Sequence, residues 1–239
     1  MKIYYDLHIH SALSPCAEGD MTPNNIVNMA ILKGLDVIAI TDHNSAKNID
    51  ACIKAAKDKI LVIPGMEIES REEVHLLCLF EDLNSALMME KTVDENTAYI
   101  KNREDIFGRQ EILDEFDNLI GTHDKLLLKS CDLSVYEIKK ETERLGGVCI
   151  PAHIDRESFS IISNLGFITE DMGFTTLEIS NNTTREEFLG KNEYLKNYSF
   201  IQNSDAHALG YINERVNAIE VYDKTLKSVI SALKLRQNP

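Results

Sequence analysis

Six of the seven histidines in this 239-residue chain fall at or just beyond one end of an apolar, strand-like run, and most stand beside a carboxylate. Asp6-Leu7-His8-Ile9-His10 places two imidazoles two residues apart on an extended segment, where side-chain alternation sends both to one side, so the pair can chelate a metal. Thr41-Asp42-His43 follows the run LDVIAI; taken alone it reads equally well as a helix N-cap with an incidental histidine. Gly65-Met66-Glu67 ends another run, where a glycine lets the backbone turn ahead of a carboxylate able to bridge two cations. His75 opens the run HLLCLF and by itself resembles a hydrogen-bonded core histidine. Pro151-Ala152-His153 and Ser204-Asp205-Ala206-His207 complete the series. Six imidazoles and two carboxylates exceed what one tetrahedral ion needs. The set therefore predicts two or three divalent ions on mixed nitrogen and oxygen ligands, suited to zinc, manganese or iron rather than magnesium alone.

Such a constellation needs a scaffold that brings distant strand ends to one face, and the rest of the chain supplies it. Strand-like and helix-like stretches alternate almost throughout, the pattern of an α/β fold with a largely parallel sheet, whose strand ends form one pocket. Thr22-Pro23 reads as an N-cap and first-turn proline of a helix reaching about Lys33, with Gly34 just past its end. Ser134-x-x-Glu137 has the spacing of a capping box before a helix that stops at Gly146-Gly147. The remaining strand candidates are 2–8, 35–41, 60–68, 148–154, 175–180, 200–204 and 215–222. Residues 82–133 break the rhythm, being charged and polar, with helix first and a hairpin-like stretch from Arg109 to Thr122. They read as an insertion, either a lid over the site or a surface excursion, within a single domain spanning 1–239.

Composition bounds the function classes. The five cysteines, at 16, 52, 78, 131 and 149, are scattered and form no CxxC pair, which fits reduced thiols and no thiolate zinc site. No signal-peptide core fits the first ten residues and no apolar run approaches a membrane span, so a cytoplasmic protein without membrane contact is expected. The net charge of −14 and the lack of a basic, aromatic-interleaved track predict a small phosphorylated substrate and no extended nucleic acid.

DLHIHS, ITDHN, PGMEI, VHLLCLF, PAHIDR and NSDAH occur in an order that resembles the PHP family, named for polymerase-associated and histidinol phosphatase members. The resemblance spans residues 6 to 207. It implies a distorted seven-stranded β/α barrel, TIM-like, with the helix and hairpin insertion above, and two or three metals serving phosphate-ester hydrolysis. Carried over, it implies that His8, His10, Glu67 and Asp205 bind one ion, that Glu67, His75 and His153 bind a second with Glu67 as the bridge, and that His43 and His207 contribute to a third. Family members add a ligand to that third site five residues after the second histidine of DxHxH; here Pro15 stands there. Cys16 or Asp20 could replace it, or the site could be empty, and Cys16 also reads as a plain small hydrophobe.

The expected reaction is hydrolysis of a small phosphate monoester, such as a nucleotide or sugar phosphate, by hydroxide activated between the ions. Glu67 holds the ions and Arg156 grips the non-bridging phosphate oxygens, unless Arg156 merely pairs with Asp155 or Glu157 at the surface. His43, His207 or a water supplies the leaving-group proton. Ser11 and Asn44 orient substrate or serve as turn residues, and His123 reads as a surface histidine. The alternatives are a 3'-5' exonuclease-type phosphodiesterase, carbon–nitrogen bond hydrolysis, and a catalytically silent metal-binding regulatory module.

Overall fold

The computed structural model describes residues 1–235. In chain order the elements are β1 (Lys2–Ile9), α1 (Pro23–Leu32), β2 (Val37–Ile40), α2 (Ile49–Ala56), β3 (Leu61–Glu69) and β4 (His75–Leu79). Next come α3 (Leu83–Glu95), α4 (Glu104–Phe107), β5 (Glu111–Leu113), β6 (Leu119–Thr122), α5 (Val135–Arg144) and β7 (Val148–Pro151). The last third holds α6 (Ile161–Leu165), β8 (Thr176–Ile179), α7 (Arg185–Lys191), β9 (Ser199–Gln202), β10 (Ala218–Glu220) and α8 (Leu226–Leu233). The helix-start signals act as their chemistry requires. Thr22 accepts from Asn25 N ahead of Pro23, and Ser134 and Glu137 form both halves of a capping box.

The architecture is mixed α/β: a curled six-stranded sheet in the order β10-β1-β2-β3-β4-β7, with the pairs β8–β9 and β5–β6 hydrogen-bonded separately. The sheet is less parallel than its alternating pattern predicts. β1, β2 and β3 are parallel, but β4 runs antiparallel to both β3 and β7, and β10 antiparallel to β1. The reason is connection length. Only residues 70–74 separate β3 from β4, too few for a crossover, so the chain must fold back as a hairpin. Among the described residues no helix is long and apolar enough to cross a membrane.

Alternation along the strands sorts the apolar side chains into two groups. Ile38, Ile40, Leu76 and Cys78 pack on the side of α1, α2, α3 and α5, while Val37, Ala39, Leu77 and Leu79 face the inside of the curl with Val229, Ile230 and Leu233 of α8. β1 obeys this rule through Ile3, Tyr5 and Leu7 on the inner side, yet Ile9 falls in the outer group. The phase changes because the β1–β2 register shifts between Asp6 and Ile9. Alternation keeps His8 and His10 on one side, with ring centroids 5.2 Å apart, and the irregularity turns that side inward.

Residues 82–133 supply α3, α4 and the β5–β6 hairpin, which lie against the loops leaving β1 and β2. Glu111 N donates to Ala12 O, Asn48 Nδ2 donates to Glu111 O, and Asn44 Nδ2 donates to Leu127 O and Lys129 O. Gly108, at φ +96°, sits so close to Pro15 that a Cβ there would lie 2.3 Å from the proline carbonyl oxygen.

Candidate metal centre

Glu67 is the hub. It lies within β3 rather than at its end, because β3 continues to Glu69 in the hairpin with β4. Its Oε1 is 2.9 Å from His75 Nδ1, 3.0 Å from His153 Nε2 and 3.3 Å from His8 Nε2. Its Oε2 is 2.9 Å from His43 Nδ1 and 3.4 Å from His10 Nε2. Gly65 upstream makes no left-handed turn. It is required by close packing, since a Cβ there would meet Leu79 Cδ2 and Thr41 Cγ2 at 2.8 Å.

Asp205 forms the second pole. Its Oδ1 lies 3.0 Å from His10 Nε2 and 3.3 Å from His8 Nε2, and its Oδ2 pairs with Arg156 Nη1 at 2.7 Å. Arg156 thus reaches the centre rather than its sequence neighbour Asp155, whose carboxylate accepts instead from Ser180 N and Oγ. Asp205 and His153 both hold left-handed backbone, at φ 51° and 30°, a conformation that costs non-glycine residues energy and clusters at working sites.

Among the described residues three groups of side chains each bring one ligand atom per residue within 4.8 Å of one another: His8, His10, Glu67 and Asp205; His43, Glu67 and His75; and His10, His43 and His207. The first is the set implied for one ion. The second takes His43 where the resemblance implies His153, which touches Glu67 but joins none of the three among the described residues. The third draws on His10, and neither Cys16 nor Asp20 joins it. The loop position expected to carry another ligand is Pro15, packed against Gly108.

Surrounding groups fix the rings. His8 Nδ1 contacts the buried Glu178 carboxylate at 3.0 Å, His10 Nδ1 meets Ser14 Oγ at 2.9 Å, and His207 Nδ1 meets the Asp205 carbonyl at 2.8 Å. Each contact leaves the opposite nitrogen facing inward as a lone-pair donor, the arrangement that orients metal-binding imidazoles. Ser14 is itself held by Asp42, whose carboxylate accepts from Ser14 Oγ, Ser11 N and Ser11 Oγ at 2.7, 2.7 and 2.6 Å. The hydrogen bonds of Asp42, Ser11 and Asn44 thus tie the loops around the centre to one another. His123 is half-buried and lines a separate cavity with Asn44, Lys47 and Glu90.

Glu178 escapes a reading based on histidines, although an acid inside the apolar run TTLEIS carries the same signal as His75 does in HLLCLF. It also accepts from His153 N and from Asn203 Nδ2, which ties β8 to β7 and β9 at the centre.

The electrostatics follow from crowding charges in a dry interior. Burial works to raise the Glu67 carboxyl, but His75, His8 and His43 overcome it and hold it well below its usual range. Burial likewise opposes the charged form of His75, yet Glu67 and Glu69 lift it to about 9. His207 has the opposite balance: burial and then His10 lower it to about 3, leaving a neutral ring. Desolvation beside the centre, followed by Glu67, pushes the thiol of the otherwise exposed Cys16 up to about 12, so it is not a ready thiolate ligand.

The donor set fits divalent metal. Among the described residues His8 Nε2, His10 Nε2, Glu67 Oε2, His153 Nδ1 and Asp205 Oδ1 are buried with no partner in hydrogen-bond geometry, close as several of them stand to one another, which is costly unless something else coordinates them. Four of the five belong to the four-residue group above, and imidazole with carboxylate suits zinc, manganese or iron.

A 5'-3' exoribonuclease of Haemophilus influenzae is 33% identical over 103 residues, 39% of this chain and 36% of the relative. This chain thus spans about a third of the length of that curated relative. In fold it is similar to the lesion-specific endonuclease Q of Pyrococcus furiosus, with a TM-score of 0.74 at 21% identity, covering 98% of this chain and 56% of the endonuclease. Endonuclease Q has also been solved with a 27-mer duplex substrate carrying an abasic lesion at the active site, again with a TM-score of 0.74. These relatives act on nucleic acid, which overturns the expectation of no extended nucleic-acid partner. Net charge is a poor guide here because it sums the whole surface, whereas cations held by the histidines and carboxylates, together with Arg156, would set the field at the site. The family model described as PHP domain matches residues 6–159. The chain therefore belongs to the PHP family of metal-dependent phosphoesterases.

Proposed function

We propose that this protein is a metal-dependent phosphodiesterase that hydrolyses the backbone of nucleic acid, with single-stranded RNA attacked from its 5' end as the leading substrate. The observation that carries the reading is Glu67: one buried carboxylate within 2.9–3.4 Å of five imidazoles, beside an aspartate gripped by an arginine. The exoribonuclease relative supplies the substrate class and polarity. It favours a diester over the small monoester that charge and resemblance suggest.

His8, His10, Glu67 and Asp205 would hold one ion, and His43, Glu67 and His75 a second, with His153 joining through Glu67. His10, His43 and His207 would hold a third. Bound ions supply Lewis acidity toward the phosphoryl oxygens and lower the pKa of water. In the reaction water adds to phosphorus, one ester P–O bond breaks, and the departing oxygen takes up a proton. Arg156 is placed to grip a non-bridging oxygen through its planar fork while Asp205 fixes its orientation. Two contacts bring the β8–β9 pair against the six-stranded sheet. Ile154 N donates to Glu178 O beyond β7, and Ala206 N donates to His8 O beside β1. With β10 flanking β1 outside the ring, these support a distorted barrel of seven strands, β1 to β4 and β7 to β9, that holds the ligands on one face of a single domain.

The test is a panel of 5'- and 3'-labelled RNA and DNA oligonucleotides, with phosphate monoesters alongside, incubated with metal-loaded protein. Shortening of RNA from the 5' end is expected. Turnover of monoesters alone, or no cleavage above that of a Glu67→Gln control, would overturn the reading.

A further inference from the structure

A cleft of about 720 Å³ opens between α6 and α7 directly beside the centre, with Arg156 on its wall. Its volume lies in the range of about 300–1,000 Å³ typical of small-ligand sites. Arg156 belongs to both places, since it lines the cleft and its guanidinium pairs with Asp205. Any group bound in the cleft is therefore continuous with one bound at the metals.

The charge balance of the cleft differs from that of the protein, whose net charge is −14. Of its charged lining residues, Asp155 and Glu187 are acids, and both are committed. Asp155 accepts from Ser180, and Glu187 closes the capping box at the start of α7 by accepting from Thr184 N and Oγ1. The cations are Arg156 and Lys191. Among the described residues the Lys191 ammonium and the Asn182 side-chain amide have no partner. Phe188, buried, adds an apolar surface. What the cleft leaves free is thus a cation, an amide and an apolar face, at a distance from the metals bridged by one arginine.

We propose that this cleft is the subsite for the nucleotide adjoining the scissile phosphodiester, with Arg156 turned to the scissile phosphate and Lys191 receiving the next phosphate along the chain. The inference rests on the nucleic-acid reading above and gives it a direction across the molecule. A competing account makes Lys191 only a favourable charge in the last turn of α7, where a cation complements the helix dipole. That role would affect stability and not ligand preference.

The test uses the full chain loaded with metal. Calorimetry compares affinity for a 5'-phosphorylated, phosphorothioate-linked dinucleotide with affinity for inorganic phosphate, in wild type, Lys191→Ala and Lys191→Arg, with Tm measured for each. The wild type should prefer the dinucleotide by at least about tenfold, and Lys191→Ala should lower that preference by about tenfold, the size of one charge-assisted contact. Lys191→Arg should keep most of it. No preference in the wild type, or an equal preference in wild type and Lys191→Ala, would overturn the subsite. A Lys191-dependent preference without any cleavage of RNA would leave the subsite standing and remove the phosphodiesterase reading. Cleavage with Lys191-independent binding would do the reverse.

Discussion

Glu67→Gln should lower phosphoester hydrolysis by about 10³-fold or more, a loss of about 4 kcal/mol in transition-state stabilisation. Glutamine matches glutamate in shape but brings no charge, and its amide nitrogen would face an imidazole where a carboxylate oxygen now stands. Glu67 belongs to two of the three ligand groups and is the contact through which His153 reaches the centre. Losing its charge therefore weakens every ion except the one at His10, His43 and His207. The fold should survive, because β3 stays paired with β2 and β4 through backbone hydrogen bonds that the substitution leaves alone. Circular dichroism, metal content and turnover measured together check this. Full metal content with activity within about tenfold of wild type would contradict it.

Asp42→Ala should cost about 3–5 kcal/mol of stability, although Asp42 touches no ligand atom of the first group. Its carboxylate is the acceptor for Ser11 N, Ser11 Oγ and Ser14 Oγ, all buried. Leaving a buried donor without an acceptor costs about 1–3 kcal/mol each. At about 2–4 °C per kcal/mol for a chain of this size, Tm should fall by roughly 10 °C. Metal affinity should fall too, because Ser14 is what holds His10 Nδ1. Asp42→Asn keeps one acceptor oxygen and should lie between. A thermal melt in which Asp42→Ala shifts Tm by less than about 2 °C would show that these hydrogen bonds contribute little.

The contrast between these two residues shows what the sequence exposes. Histidines at the ends of apolar runs are legible because the run gives the direction and the imidazole gives the chemistry; His8, His10, His43, His75, His153 and His207 all lie around Glu67 and Asp205. The grouping of those ligands is not legible. Whether His43 or His153 shares a cluster with His75 depends on how the strands curl, and no local pattern encodes that. Asp42 reads as a helix cap because capping is the commonest local use of an aspartate before a turn, while its actual donors come from a loop some thirty residues earlier. Glu178 is missed for a different reason, since a search led by histidines passes over an acid in an apolar strand. The antiparallel β4 was within reach, because a linker of residues 70–74 cannot carry a crossover. The kind of substrate is not written in the histidine pattern, and whole-chain charge argued against nucleic acid, on which the exoribonuclease and endonuclease relatives act.

The proposed hydrolysis requires bound metal. The decisive measurement is a titration of chelator-stripped protein with manganese, and separately with zinc, recording bound ions per chain and cleavage of 5'-labelled RNA at each step. Cleavage should be absent in the stripped protein, rise with the second ion bound, and fail to appear in Glu67→Gln at any metal concentration. Cleavage that persists after stripping, or full binding of two ions with no hydrolysis of any phosphoester, would contradict it.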